Sequence, residues 1–217
     1  MMNALRTGAW MVLAGAAAAG LGGCAAFSWF VAQFAPPQEV KAEFKLPKDK
    51  KVLVFVDDML HEVNYAPIKG DLTEKLNSQL AEHKIAANTI PYEQVQDLAA
   101  RGDFNRLAVK EVGEKLGADV VIYVDIERFS LKENEASPLW RGELAGSVRV
   151  VDVKVGRLWP TDREKYPVPA VETPPTENAS KTYGAELSRL LAEKLADRIA
   201  KLFYDHKVPV QSFDQEK

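Results

Sequence analysis
"DVVIYVDIERF", Asp119–Phe129, decides how this chain folds. Val120 to Val124 form an unbroken apolar run, the pattern of a strand covered on both faces, after which Val124 and Ile126 alternate with Asp125 and Glu127. One end of the strand is therefore expected to be deeply buried and the other half-exposed. A second run of this kind, "KKVLVFVDDML", Lys50–Leu60, ends in the paired carboxylates Asp57 and Asp58. Strands of this type lie in the middle of α/β sheets, where helices cover both faces.

Working outward, Leu72, Leu76 and Leu80 recur at every fourth position after the Pro67–Gly70 boundary, which predicts a helix of about four turns with an apolar stripe. "KIAANTIPY" reads as a strand closed by Pro91, and "YEQVQDLAARG" as a short helix ending at Gly102. Ala108, Val112 and Leu116 mark another helix, stopped by Gly117. "GELAGSVRVVDVKVGRLW" supplies a strand and, beyond Gly156, its return, a hairpin. Leu187, Leu191, Leu195, Ile199 and Leu202 then form the stripe of a final core helix, widened by Leu190 and Phe203. The order is strand, helix, strand, two helices, three strands, helix. It predicts a small mixed sheet of about five strands with helices packed on it, over residues 50–207.

The amino-terminal part has a different character. No charged residue occurs from Thr7 to Gln38, and Arg6 stands before this stretch, as in a secretory signal. The stretch contains "LGGC", Leu21–Cys24, which resembles the bacterial lipobox, and Cys24 is the only cysteine of the chain. That resemblance implies a signal peptide over residues 1–23 and acylation of the Cys24 thiol, with palmitate-type chains as membrane anchor. By the same resemblance Ala25, following the cysteine, favours the outer membrane. An uncleaved transmembrane anchor is the alternative, since the uncharged stretch exceeds the ~20 residues that cross a bilayer. Both place the remainder outside the cytoplasm, facing the periplasm. Phe27, Phe30, Val31 and Phe34 fall on one helical face, suited either to a headgroup region or to packing on the domain or continuing the membrane segment. Residues 24–49 are accordingly expected to be a lipidated tether, and 208–217 a polar tail.

The net charge of −3, with Lys and Arg scattered among Asp and Glu, provides no basic stripe for nucleic acid. His61, His83 and His206 are too far apart for a zinc site, and no nucleophile motif or phosphate-binding glycine loop follows any strand. No enzymatic activity, metal or cofactor is expected. The acidic pair Asp57 and Asp58, with Asp125, resembles the opening of a response-regulator receiver, whose acids would hold Mg²⁺. The later helices and strands of that fold, and its closing Lys, are missing here. The pair is expected to be a solvated strand end.

"EVGEKLGADVVIYVDIERF", Glu111–Phe129, and "GSVRVVDVKVGRLW", Gly146–Trp159, resemble a helix-strand unit and a turn shared by a group of envelope proteins. These are the penicillin-binding-protein activator lipoproteins, the curli-secretion lipoproteins and the amino-terminal domain of TolB. The turn falls on Val150, Val151, Asp152 and Gly156, with Val155 where the group usually has Thr. The resemblance implies a small α/β domain that binds protein partners in the periplasm, as accessory or regulator of an envelope assembly. A subunit of an outer-membrane secretion pore is the rival reading, and it would need extra hairpins. The proline-rich stretch Leu158–Ser180 reads as a long connection, either a solvated linker whose Trp159 covers the sheet edge or a segment that contributes to partner binding, with Trp159, Arg163 and Tyr166 as its contact residues. The partner is an unidentified envelope protein, and the oligomeric state stays open.

Overall fold
The computed structural model describes residues 38–208, apart from 60–62, 64, 103, 135 and 179. Cys24 and the Phe27–Phe34 face lie outside the described residues. These divide into two units, one of residues 38–40 with 206–208 and one of residues 41–205. In the first, β1 (Gln38–Val40) pairs antiparallel with β10 (His206–Val208).

The larger unit is built on a six-stranded mixed sheet. Its centre is β2 (Lys51–Asp57) beside β4 (Val120–Ser130), parallel, with Phe55 opposite Tyr123 and Asp57 opposite Asp125. β3 (Asn88–Thr89) pairs parallel with the start of β2, and β6 (Glu143–Asp152) runs antiparallel along β4. On the far side of β6, β7 (Gly156–Trp159) pairs with its end and β8 (Tyr166–Glu172) with its beginning. β5 (Leu139–Trp140) and β9 (Thr176–Glu177) form a separate two-stranded sheet.

The unbroken apolar runs serve two cores. On one face α1 (Pro67–Glu82) and α4 (Tyr183–Lys201) bury Leu72, Leu76, Leu80, Leu191 and Leu195 against Val54, Ile122 and Val148. On the other, α2 (Tyr92–Ala99), a 3₁₀ turn (Phe104–Arg106) and α3 (Val109–Lys115) cover Leu53, Phe55, Val121 and Tyr123. Gly113 makes the second layer possible, because a Cβ there would sit 2.6 Å from both Val121 and Val153. Glu111 helps to start α3 by accepting the Ala108 N–H at 2.7 Å.

The α/β fold agrees with the sequence reading, and three details differ from it. The second strand is two residues long, because the Ile85 and Ala86 amides are taken by the Leu80 carbonyl that ends α1. The Leu158–Ser180 stretch is not a connection, since β8 lies inside it and takes an edge position where Pro167 and Pro169 are tolerated. The tether gives up its last part to the domain: Phe44 donates its N–H to the Leu202 carbonyl at 3.0 Å and Leu46 is buried in the core. Among the described residues no helix is long and apolar enough to cross a membrane.

Candidate functional site
Asp57, at the carboxyl end of β2, and Asp125, midway along β4, are the last register partners of the parallel pairing, the end of a parallel pair where ligands commonly bind in α/β folds. The expected solvated pair is not found there. Asp58 and Asp125 are each 3% exposed, and Asp57 is half-buried. Carboxylates taken from water need partners, and each has them. Asp125 accepts the Met59 N–H at 3.2 Å through Oδ1 and is ion-paired with Lys165 through Oδ2. Asp57 accepts the Asp58 N–H at 2.8 Å and the Tyr123 hydroxyl at 3.2 Å, with Lys69 3.7 Å away. Asp58 accepts the Val63 N–H at 2.9 Å.

Beneath this cluster the Arg149 guanidinium lies 4.4 Å over the Tyr123 ring. Burial pushes the Tyr123 phenol up, the charges of Asp57 and Asp125 and the hydrogen bond to Asp57 push it further, and only Arg149 opposes. Lys165 thus pairs with Asp125 and Lys69 lies beside Asp57, while the Arg149 guanidinium also reaches Glu164 at 3.9 Å. Among the described residues no group of three or more His, Cys, Asp or Glu side chains could hold a metal ion.

The residues expected from the sequence to touch a partner lie near one another at the β7–β8 edge. Trp159 ends β7 and Tyr166 begins β8, and the two rings stack at 4.7 Å with planes 29° apart. Phe44 stacks on Trp159 at 6.1 Å and Phe203 meets it edge-on at 6.2 Å. Trp159 is 8% exposed, so it anchors this cluster from the core and offers little surface itself. Residues 160–165 leave the edge as an excursion held at both ends, by Trp159 in the core and by Lys165 on Asp125. Arg163 is presented on it, bound to Asp162 at 2.7 and 3.0 Å and 5.6 Å from the Tyr166 ring. Burial raises the Tyr166 phenol, helped by the charge of Glu43 and a hydrogen bond to it. Sequence reasoning passed over Phe44 and Glu43, which lie in a charged stretch without helical or strand periodicity.

A cleft of about 420 Å³ lies between α1 and α2, lined by Gly70, Asp71, Glu74, Tyr92, Glu93 and Gln96 among others. Asp71 is 3.9 Å from Arg189 of α4.

No protein-family description matches the chain, and no curated protein matches it. Solved structures with a related course of chain exist. The lipoprotein GNA1162 from Neisseria meningitidis aligns at TM-score 0.43 and 14% identity, over 68% of this chain and 98% of its own. A PelC dodecamer from Paraburkholderia phytofirmans gives 0.44 and 14%, over 78% and 98%. A lipoprotein from Caulobacter crescentus gives 0.36 and 12%, over 69% and 84%. At these scores and identities the likeness carries no function across to this chain.

Proposed function
We propose that this protein is a lipid-anchored accessory of the bacterial envelope, held to the membrane through Cys24, whose α/β domain binds a protein partner on the periplasmic side. The anchor is read from Leu21–Cys24, where the chain's one cysteine closes an apolar, small-residue run. The observation that carries the partner reading is the excursion 160–165, an exposed charged loop braced at each end by buried groups. Bracing matters because a loop already ordered loses less conformational entropy when it is bound. Arg163 and Tyr166 are residue types that dominate interface hot spots; Tyr166 stacks on Trp159 and Arg163 lies 5.6 Å from the Tyr166 ring.

The test is a photo-crosslinking amino acid placed at Arg163 in intact cells, with a second at Glu193 on the exposed side of α4 as reference. Under this reading Arg163 captures one envelope protein that Glu193 does not. Capture of nothing, or of the same mixture from both positions, would sink the partner surface.

A further inference from the structure
We propose that the amino-terminal end of the parallel strands is a membrane-docking surface that lies against anionic phospholipid headgroups; the inference deepens the envelope-anchor reading and rests on it. The lysines come from three separate elements. Lys48 and Lys50 lead into β2, Lys51 begins it, Lys84 follows α1, and Lys154 stands in the turn between β6 and β7. Backbone bonds gather them: Lys51 donates its N–H to Asp119 Oδ2 at 2.9 Å and accepts the Asp119 N–H at 2.8 Å, while Val153 donates to the Asp119 carbonyl at 3.0 Å. Asn88, four residues after Lys84, is the register partner of Lys51.

The acids at this end are mostly turned to the backbone. Asp119 is held by Lys51, and Asp152 accepts the Lys154 and Val155 amides at 2.8 and 2.9 Å, which, with the Lys50 charge, keeps its carboxyl below the usual range. Asp49 stays exposed beside Lys48. Lys48, Lys84 and Lys154 are exposed and Lys50 and Lys51 half-buried, beside the exposed acids Asp49 and Glu82. At the tip stands Val155, 80% exposed, an apolar side chain held out by the turn that Asp152 builds.

Two further observations select a lipid surface as the occupant. Residues 41–46, through which the domain is joined to the amino-terminal segment, are fixed at this same end: Ala42 donates to Asp205, just past α4, at 2.9 Å, and the neighbouring Tyr204 stacks on His83, next to Lys84, at 4.1 Å. Lysines at the end of the domain that residues 41–46 occupy, with an apolar tip among them, suit an anionic headgroup layer, since each basic group adds attraction and the tip enters the interface.

The experiment uses the full chain with Cys24→Ser, which removes the acylation site and leaves Val155→Cys as the one thiol, labelled with a polarity-sensitive fluorophore. It is reconstituted into phosphatidylcholine vesicles with and without phosphatidylglycerol. Expected is a blue shift at position 155 only with phosphatidylglycerol, reversed by high salt, absent for the same label at Asn134→Cys beyond the far end of β4, and lost in Lys48→Glu, Lys50→Glu, Lys154→Glu. No shift at 155, an equal shift on neutral vesicles, or an equal shift at 134 would overturn the docking surface. Should the triple variant fail to fold, the lipid and salt arms still decide. Because acylation is absent throughout, failure here is separate from failure of the Cys24 anchor, which the mass of the wild-type chain reads.

Discussion
The Asp125–Lys165 pair is where single side chains have most at stake. Removing the ammonium leaves a carboxylate that is 3% exposed and has only one backbone amide to hold it. Lys165→Ala is therefore expected to cost about 2 kcal/mol, below the full penalty for a buried pair because Lys165 itself is 25% exposed. Urea unfolding measures it, and Asp125→Asn in the same chain should restore most of the loss. Asp57→Asn, at a more exposed carboxylate, should cost no more than about 1 kcal/mol. Asp152 gives a pH-dependent counterpart. Its carboxyl is depressed by two backbone hydrogen bonds, so its contribution is complete above the ordinary carboxylate range and fades as pH falls through the depressed value. Asp152→Ala should lower stability at neutral pH by about 1 kcal/mol and flatten the acid limb of the stability curve. Unchanged steepness below pH ~4 would contradict this.

At the level of elements, long periodic segments were legible and short or edge-bound ones were not. Leu72, Leu76 and Leu80 announce α1 because their spacing has one physical reading, and the Asp152–Gly156 turn was readable because Gly156 takes φ 105°. β8 was hidden by Pro167 and Pro169, which argue against a central strand and are compatible with an edge. That edge is covered further by Arg198, which donates to the Pro169 carbonyl at 2.9 Å and also to that of Ala170. Arg198→Met should cost about 1–2 kcal/mol by leaving those carbonyls without their charged donor. Faster amide exchange in β8 than in β4 would report it. The burial of Asp125 could not be read from its own neighbourhood, because Lys165 lies 40 residues further on. Trp159, Arg163 and Tyr166, read together from the sequence, lie close to one another in the fold, with Trp159 turned inward.

Over the whole molecule, the sheet is covered on both faces, and the segment that joins it to the amino-terminal region is part of the packing. A free tether would tolerate any change at Phe44 and Leu46. Since Phe44 stacks on Trp159 and Leu46 is 8% exposed, replacing both with Ala should cost about 3 kcal/mol and broaden thermal unfolding. A lipid anchor at Cys24, as proposed, would join the domain through this packed segment. The anchor is thus the central claim, and the mass of the mature chain purified from its native membrane tests it most directly. The account requires a chain that begins at Cys24 and carries diacylglycerol on its sulfur. An intact amino-terminal segment with an unmodified Cys24 would contradict it and establish a transmembrane anchor instead.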